Sequence, residues 1–191
     1  VKNELVDHIC FTGSAEVGRL IRIICAESWH KTCSCEMGSK SAVMVFDDAD
    51  LDVAVPACVN SAFKLSGQRC VSAGRILVQK NILDEFKEKF IAEVERCHVG
   101  DPFAPVPGVC SVAFGPLISK DQKTRVENFN QMVLNDKDCD VLYYPVSLSS
   151  HSRAGYYVTP LVYQCEWSNK DFLKQEVFGP HVAIIPFNSI D

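Results

Sequence analysis

Leu5-Val6-Asp7-His8-Ile9-Cys10-Phe11-Thr12-Gly13-Ser14-Ala15-Glu16-Val17-Gly18 changes its periodicity part-way, and that change decides the fold class. Over residues 5–11 apolar side chains alternate with Asp7 and His8, the period of a strand. Over residues 16–29 Val17, Leu20, Ile21, Ile24 and Cys25 recur at helical spacing and predict one buried stripe. Gly13-Ser14 is the turn between the two, and residues 32–37 read as the next strand. A third strand over 41–46 follows the small residues Gly38-Ser39.

The alternation continues to the end of the chain. Asp47-Asp48-Ala49-Asp50 caps a helix predicted over 51–65, in which Pro56 falls early enough to be tolerated and Gly67 suits the position just past the end. A strand over 75–79 leads to a helix over 82–97 capped by Asn81, with Leu83, Phe86, Phe90 and Val94 on one face. A loop over 99–107 precedes Ser119 to Gln122, which fit a capping box opening a helix that runs to about Asn135. Strands over 141–145, 156–164 and 182–187 follow, with a polar loop around 147–152. Strands alternating with helices mean an α/β fold whose sheet is mainly parallel and flanked by helices.

A chain of 191 residues has room for one domain with a sizeable core, or for one domain and part of another. Its net charge of −5 argues against a nucleic-acid or anionic-membrane partner, either of which needs a basic face. No apolar run approaches the ~18 residues that cross a bilayer, so no membrane partner is expected. Of the 10 cysteines, Cys10, Cys25, Cys58 and Cys97 lie in apolar patterns, where a thiol acts as a small core hydrophobe. Reduced thiols and a cytoplasmic location are the expectation. Cys33-Ser34-Cys35 has no second pair at zinc spacing, so no metal site is expected. The chain begins without Met inside a strand pattern and ends on Asn188-Ser189-Ile190-Asp191, a helix cap with no helix after it, and so reads as an excerpt of a longer protein.

Four pieces carry chemistry. Ser66-Gly67-Gln68-Arg69-Cys70 puts a thiol in a polar loop between helix and strand, with Arg69 and Arg75 as cationic neighbours of the kind that activate a nucleophile. Upstream, Glu36 stands in a stretch that is nearly uncharged until Lys40, a setting that suits a general base working near neutral pH. The plain alternatives are one more buried cysteine and an exposed carboxylate at a strand end. Gly13-Ser14 opens a helix whose free N–H groups favour a phosphate, although Gly-x-Gly-x-x-Gly is absent and an ordinary strand-to-helix turn stays open. Glu176-Val177-Phe178-Gly179-Pro180 reads either as a tight turn or as a carboxylate for ribose hydroxyls beside a Phe that packs on a flat ring. A cysteine hydrolase would need a histidine partner, and none of His8, His30, His98, His151 and His181 stands in a motif.

In this order, Phe-Thr-Gly-Ser, Glu-x-Gly-x-Lys, Gly-Gln-x-Cys, Gly-Pro-Leu-Ile and Glu-x-Phe-Gly-Pro resemble the NAD(P)-dependent aldehyde dehydrogenase superfamily, over less than half of a usual member. The resemblance implies oxidation of an aldehyde to a carboxylic acid with NAD or NADP. Cys70 matches the thiol that forms a thiohemiacetal and then a thioester, its own N–H donating to the oxyanion, and Glu36 matches the base that activates water. Gly13 and Ser14 match the helix start under the pyrophosphate and Val17 the residue against the adenine. Gly18 and Met37 belong to the same cofactor set, Glu176 to the nicotinamide ribose and Phe178 to the nicotinamide ring. Gln122 and Arg125 fall near a less regular ribose contact. By the same analogy residues 1–38 end a dinucleotide-binding domain and 39–191 are a truncated catalytic domain, with the full-length protein a homo-oligomer. Ser39 stands where the family usually has a second Gly. A carboxylate at Glu36 favours hydrolysis over transfer to coenzyme A, and a non-catalytic scaffold relative is the rival reading.

Overall fold

Parallel strand pairing dominates the computed structural model, which describes residues 1–101, 113–145 and 155–189. Two units divide the chain, Val1–Ser39 and Lys40–Asp191.

The first unit is a strand–helix–strand motif: β1 (His8–Gly13), α1 (Ala15–Ala26) and β2 (Thr32–Met37). β1 and β2 pair in parallel from His8 opposite Thr32 to Gly13 opposite Met37. β1 starts later than the alternation indicates because Lys31 intervenes. Its buried Nζ donates to the carbonyls of Asn3, at 2.8 Å, and Val6, so the residues before β1 curl round an ammonium instead of extending. The stripe on α1 is narrower than predicted: Gly18, Ile21 and Cys25 are buried, whereas Val17 and Leu20 face out. Cys10, expected in a core, is exposed. Cys33 and Cys35 share the half-buried face of β2.

The second unit continues with β3 (Ser41–Val45), α2 (Leu51–Phe63), β4 (Ala73–Gln79), α3 (Leu83–Glu95), β5 (His98–Val99), β6 (Ala113–Phe114), α4 (Lys120–Leu134), β7 (Asp140–Tyr143), β8 (Leu161–Gln164), α5 (Asp171–Lys174) and β9 (His181–Phe187). Its five-stranded sheet has the order β3-β4-β9-β8-β7, and only the β7–β8 pairing is antiparallel. β5 and β6 form a separate short parallel pair. Because side chains alternate across a strand, β9 feeds two cores. Val182 and Ile184 pack with Val59, Phe63, Phe86 and Phe90 of α2 and α3, while Ala183 and Ile185 pack with Val126, Phe129 and Val133 of α4 and Phe172 and Leu173 of α5. Pro186 is tolerated in this central strand because β8 has already ended at the Gln164–Ile184 pair.

Several local expectations change. Asp50 caps α2 through its carboxylate, as the sequence indicates, accepting from Asp52 N at 3.0 Å. Asn81 does not cap α3. Its amide donates to Asp47 at 2.7 Å, and a single 3-10 turn over Lys80–Ile82 leads into the helix instead. Residues 102–107 of the expected loop, and all of the polar loop at 147–152, lie outside the described residues.

Candidate active site

In the first unit the pairing sets Thr12 beside Glu36 and Gly13 beside Met37, where both strands end and α1 begins. Ligands of open α/β sheets bind at such carboxyl ends. Ser14 caps α1, its Oγ accepting from Val17 N at 3.3 Å. Helix geometry then leaves the N–H groups of Ala15 and Glu16 without partners along the helix. Gly13, Ser14 and Val17 are exposed, so this helix end is open to an incoming group. Gly18 is packed against β2: a Cβ there would stand 2.5 Å from Met37 Sδ, so a larger residue would make the Met37 side chain move. Glu36 is exposed, which corrects the expectation that apolar walls surround it.

Cys70 belongs to the second unit and is exposed. The backbone before it is unusual. Leu65, Ser66 and Gly67 all have positive φ, at 57°, 57° and 71°. Two of these are not glycine, and such conformations cost on the order of 1–3 kcal/mol each unless the surroundings enforce them. The enforcement is visible. Ser66 Oγ donates to Gly115 O at 2.8 Å, and Gln68 Oε1 accepts from Ile118 N at 3.0 Å. Gly67 lies against Gly179, whose carbonyl oxygen would be 2.2 Å from a Cβ. The thiol loop is thereby pressed onto the Glu176–Pro180 turn.

That turn is held from its other side by α4. Gln122 Nε2 donates to Val177 O at 3.0 Å and Phe178 O at 2.8 Å, and Arg125 donates to Glu176 O at 2.8 Å. Ser119 accepts from Gln122 N at 3.1 Å, so the forward half of the capping box forms, while the Gln122 side chain goes to the turn. Gln122 and Arg125 therefore spend donors on main-chain carbonyls. Gly179 fits between the layers because a Cβ would meet Val126 Cγ2 at 2.4 Å. Phe178, at φ 59°, is half-buried and held in this strained form by the same contacts.

The two arginines expected beside the thiol are engaged elsewhere. Arg69 donates to Asn60 O at 3.0 Å and Ser61 O at 2.9 Å, closing the end of α2. Arg75 donates to Lys40 O, and its guanidinium lies 5.5 Å from the Trp167 ring centre. Sequence reasoning gave Lys40 no role. Its stem crosses Gly74, where a Cβ would be 2.9 Å from Cδ, and burial followed by repulsion from Arg75 brings its ammonium down to about 8, against attraction from Glu176. Beneath the turn, His181 bonds Asn130 Oδ1 through Nδ1 at 2.8 Å and Tyr163 Oη through Nε2 at 3.1 Å. The amide oxygen can only accept, so Nδ1 carries the proton and Nε2 accepts from the phenol. Burial, aided by Lys40, holds His181 neutral. Only the capping glutamine carried a sequence signal for this scaffold.

The residues sort into two sets. Gly13, Ser14, Val17, Gly18, Glu36 and Met37 lie in the first unit; Cys70, Glu176 and Phe178 lie in the second, on two elements in contact. Among the described residues no three His, Cys, Asp or Glu side chains gather as a metal site, and no helix is long and apolar enough to cross a membrane.

A model of the aldehyde dehydrogenase family matches residues 1–191. The chain is 32% identical to an aldehyde dehydrogenase of Agaricus bisporus over 95% of its own length and 35% of that protein. It is 35% identical to the NADP(+) succinate-semialdehyde dehydrogenase GabD of Escherichia coli, covering 97% of this chain and 36% of that one. Among solved structures, a Mycobacterium tuberculosis aldehyde dehydrogenase complexed with NAD+ superposes with a TM-score of 0.89 at 32% identity, over 99% of this chain and 38% of that one. The chain thus spans about a third of the length of the curated relatives it matches.

Proposed function

The chain belongs to the aldehyde dehydrogenase family, and from that premise we propose that the full-length protein oxidises an aldehyde to a carboxylic acid with NAD or NADP, through Cys70 and Glu36. The observation that carries this reading is the packing of Gly67 on Gly179, which sets the loop leading to an exposed thiol against the turn that carries Glu176 and Phe178.

The chain's own residues fit a dinucleotide. The open N-terminus of α1 suits the pyrophosphate, since Gly13 and Ser14 expose backbone at its positive end. Glu176 offers a carboxylate to ribose hydroxyls, and Phe178 an aromatic face to a flat ring. When bound, the nicotinamide supplies the hydride acceptor. Cys70 Sγ attacks the aldehyde carbonyl and forms a thiohemiacetal, whose oxyanion takes a hydrogen bond from the Cys70 N–H. Loss of hydride from that carbon leaves a thioester on Cys70. Glu36 takes a proton from water, the water oxygen adds to the thioester carbonyl, and the C–S bond breaks to release acid and thiol. In the same reading residues 1–38 are the end of the cofactor domain and 39–191 the thiol-bearing domain, a division that the two compact units, Val1–Ser39 and Lys40–Asp191, support to within one residue.

Two measurements test this on the full-length protein. With an aldehyde and NAD or NADP, reduced cofactor appears, and Cys70→Ala abolishes it. Iodoacetamide alkylates Cys70 ahead of the other cysteines. Uniform alkylation with no cofactor reduction across a panel of aldehydes would mark the chain as a silent relative and overturn the proposal.

A further inference from the structure

Cys139 closes the turn between α4 and β7, and Cys165 follows β8. β7 and β8 pair antiparallel, with Asp140 opposite Gln164 and Val141 opposite Tyr163. The same register, continued one residue past its last pair, points Cys139 towards Cys165, and Cys139 packs against the core cluster that contains Cys165. Facing residues of an antiparallel pair have Cα atoms about 4.5–5.5 Å apart, within the span of a disulfide. Lys170 holds the site together. Its Nζ binds Asp136 at 2.7 Å and Asp138 at 2.8 Å, which ties the turn that carries Cys139 to the segment that follows Cys165. Both cysteines are free thiols, Cys165 buried and Cys139 half-exposed.

We propose that Cys139 and Cys165 form a redox-modification site, which takes a low-molecular-weight disulfide as oxidant and closes to a cross-strand disulfide between β7 and β8. The order of events follows from access and charge. Burial raises both thiols, Cys165 to about 12. Cys139 Sγ, the reachable sulfur, attacks one sulfur of the small disulfide, whose S–S bond breaks and releases a small thiolate. Cys165 then gives up its proton and attacks Cys139 Sγ, and the mixed disulfide breaks to release the second small thiolate. The small disulfide gains two electrons and two protons as two thiols, and the protein loses two hydrogens. Exchange is slow because both thiols resist ionisation, so the site responds to sustained oxidation. The bond locks the outer strand β7 onto the sheet, and nothing in it depends on turnover at Cys70.

The test equilibrates the full-length protein with oxidised glutathione under native conditions, quenches with acid, alkylates the remaining thiols and digests without reductant. A peptide pair joined through Cys139 and Cys165, erased by dithiothreitol, is expected. Cys165→Ser retains glutathione on Cys139, whereas Cys139→Ser leaves Cys165 free. The wild-type map stands without either variant. Recovery of both residues as alkylated thiols, or of either joined only to a different cysteine, overturns the proposal.

Discussion

Gly67 meets two demands at once, a left-handed backbone and the absence of a Cβ where Gly179 O would lie 2.2 Å away. Gly67→Ala cannot be relieved by rotating a side chain, since the obstacle is backbone. It is expected to lower stability by more than the ~1 kcal/mol typical of a point mutation and to change the alkylation rate of Cys70, measured by urea unfolding and timed labelling. Lys40 gives a pH signature. Its ammonium is held at about 8, below its ordinary 10.5, so between these values the unfolded chain binds more protons than the folded one. Stability therefore rises with pH through that window, and below it the cost of the buried charge is fully present. Lys40→Met should be more stable than the wild type near neutrality, with the difference closing as pH rises towards 10.5; parallel unfolding curves across the window would contradict this.

At the level of elements, α4 acts as a brace for the Glu176–Pro180 turn. Gln122→Leu keeps the volume but leaves the carbonyls of Val177 and Phe178 without their donor, a loss of about 1–3 kcal/mol. If the full-length protein works as proposed, the expected result is a raised KM for NAD(P) with kcat less affected, and a fall in kcat alone would place Gln122 elsewhere in the cycle. This brace also marks the limit of what the sequence discloses. β2 and β9 are legible as short strand-like runs bounded by turn residues, and α4 by the cap that opens it. The capping box is half legible: Ser119 behaves as its type predicts, but a glutamine that can bond back can equally reach a partner brought near only by folding. α5 has four residues, too few for any period to show. Leu65 and Ser66 give no warning of positive φ, because residues of their kind adopt it only under tertiary compulsion. The motifs of the candidate site are legible as chemistry, whereas Lys40, His181 and the thiol pair at Cys139 and Cys165 emerge only when strands are laid side by side.

Across the whole molecule the apolar residues are unevenly shared. The second unit has two cores on either face of a five-stranded sheet. The first has a two-stranded sheet and one helix, with Leu5 91% and Trp29 98% exposed. Two strands and one helix bury too little to match such a sheet in stability. Hydrogen exchange on this chain should thus show the amides of β1 and β2 exchanging well ahead of those of β4 and β9, and equal protection would contradict that ranking. The mirror-image stretch at Leu65–Gly67 gives the second unit a further property. Such backbone has no local stabilisation to keep it in place, and it is held by contacts made much later in the sequence, with Gly115, Ile118 and Gly179. During synthesis Cys70 is made long before that support, so a ribosome-bound chain that lacks β9 carries a sulfur with no settled address. The speed at which that sulfur captures an electrophile is then a clock for completion of the sheet.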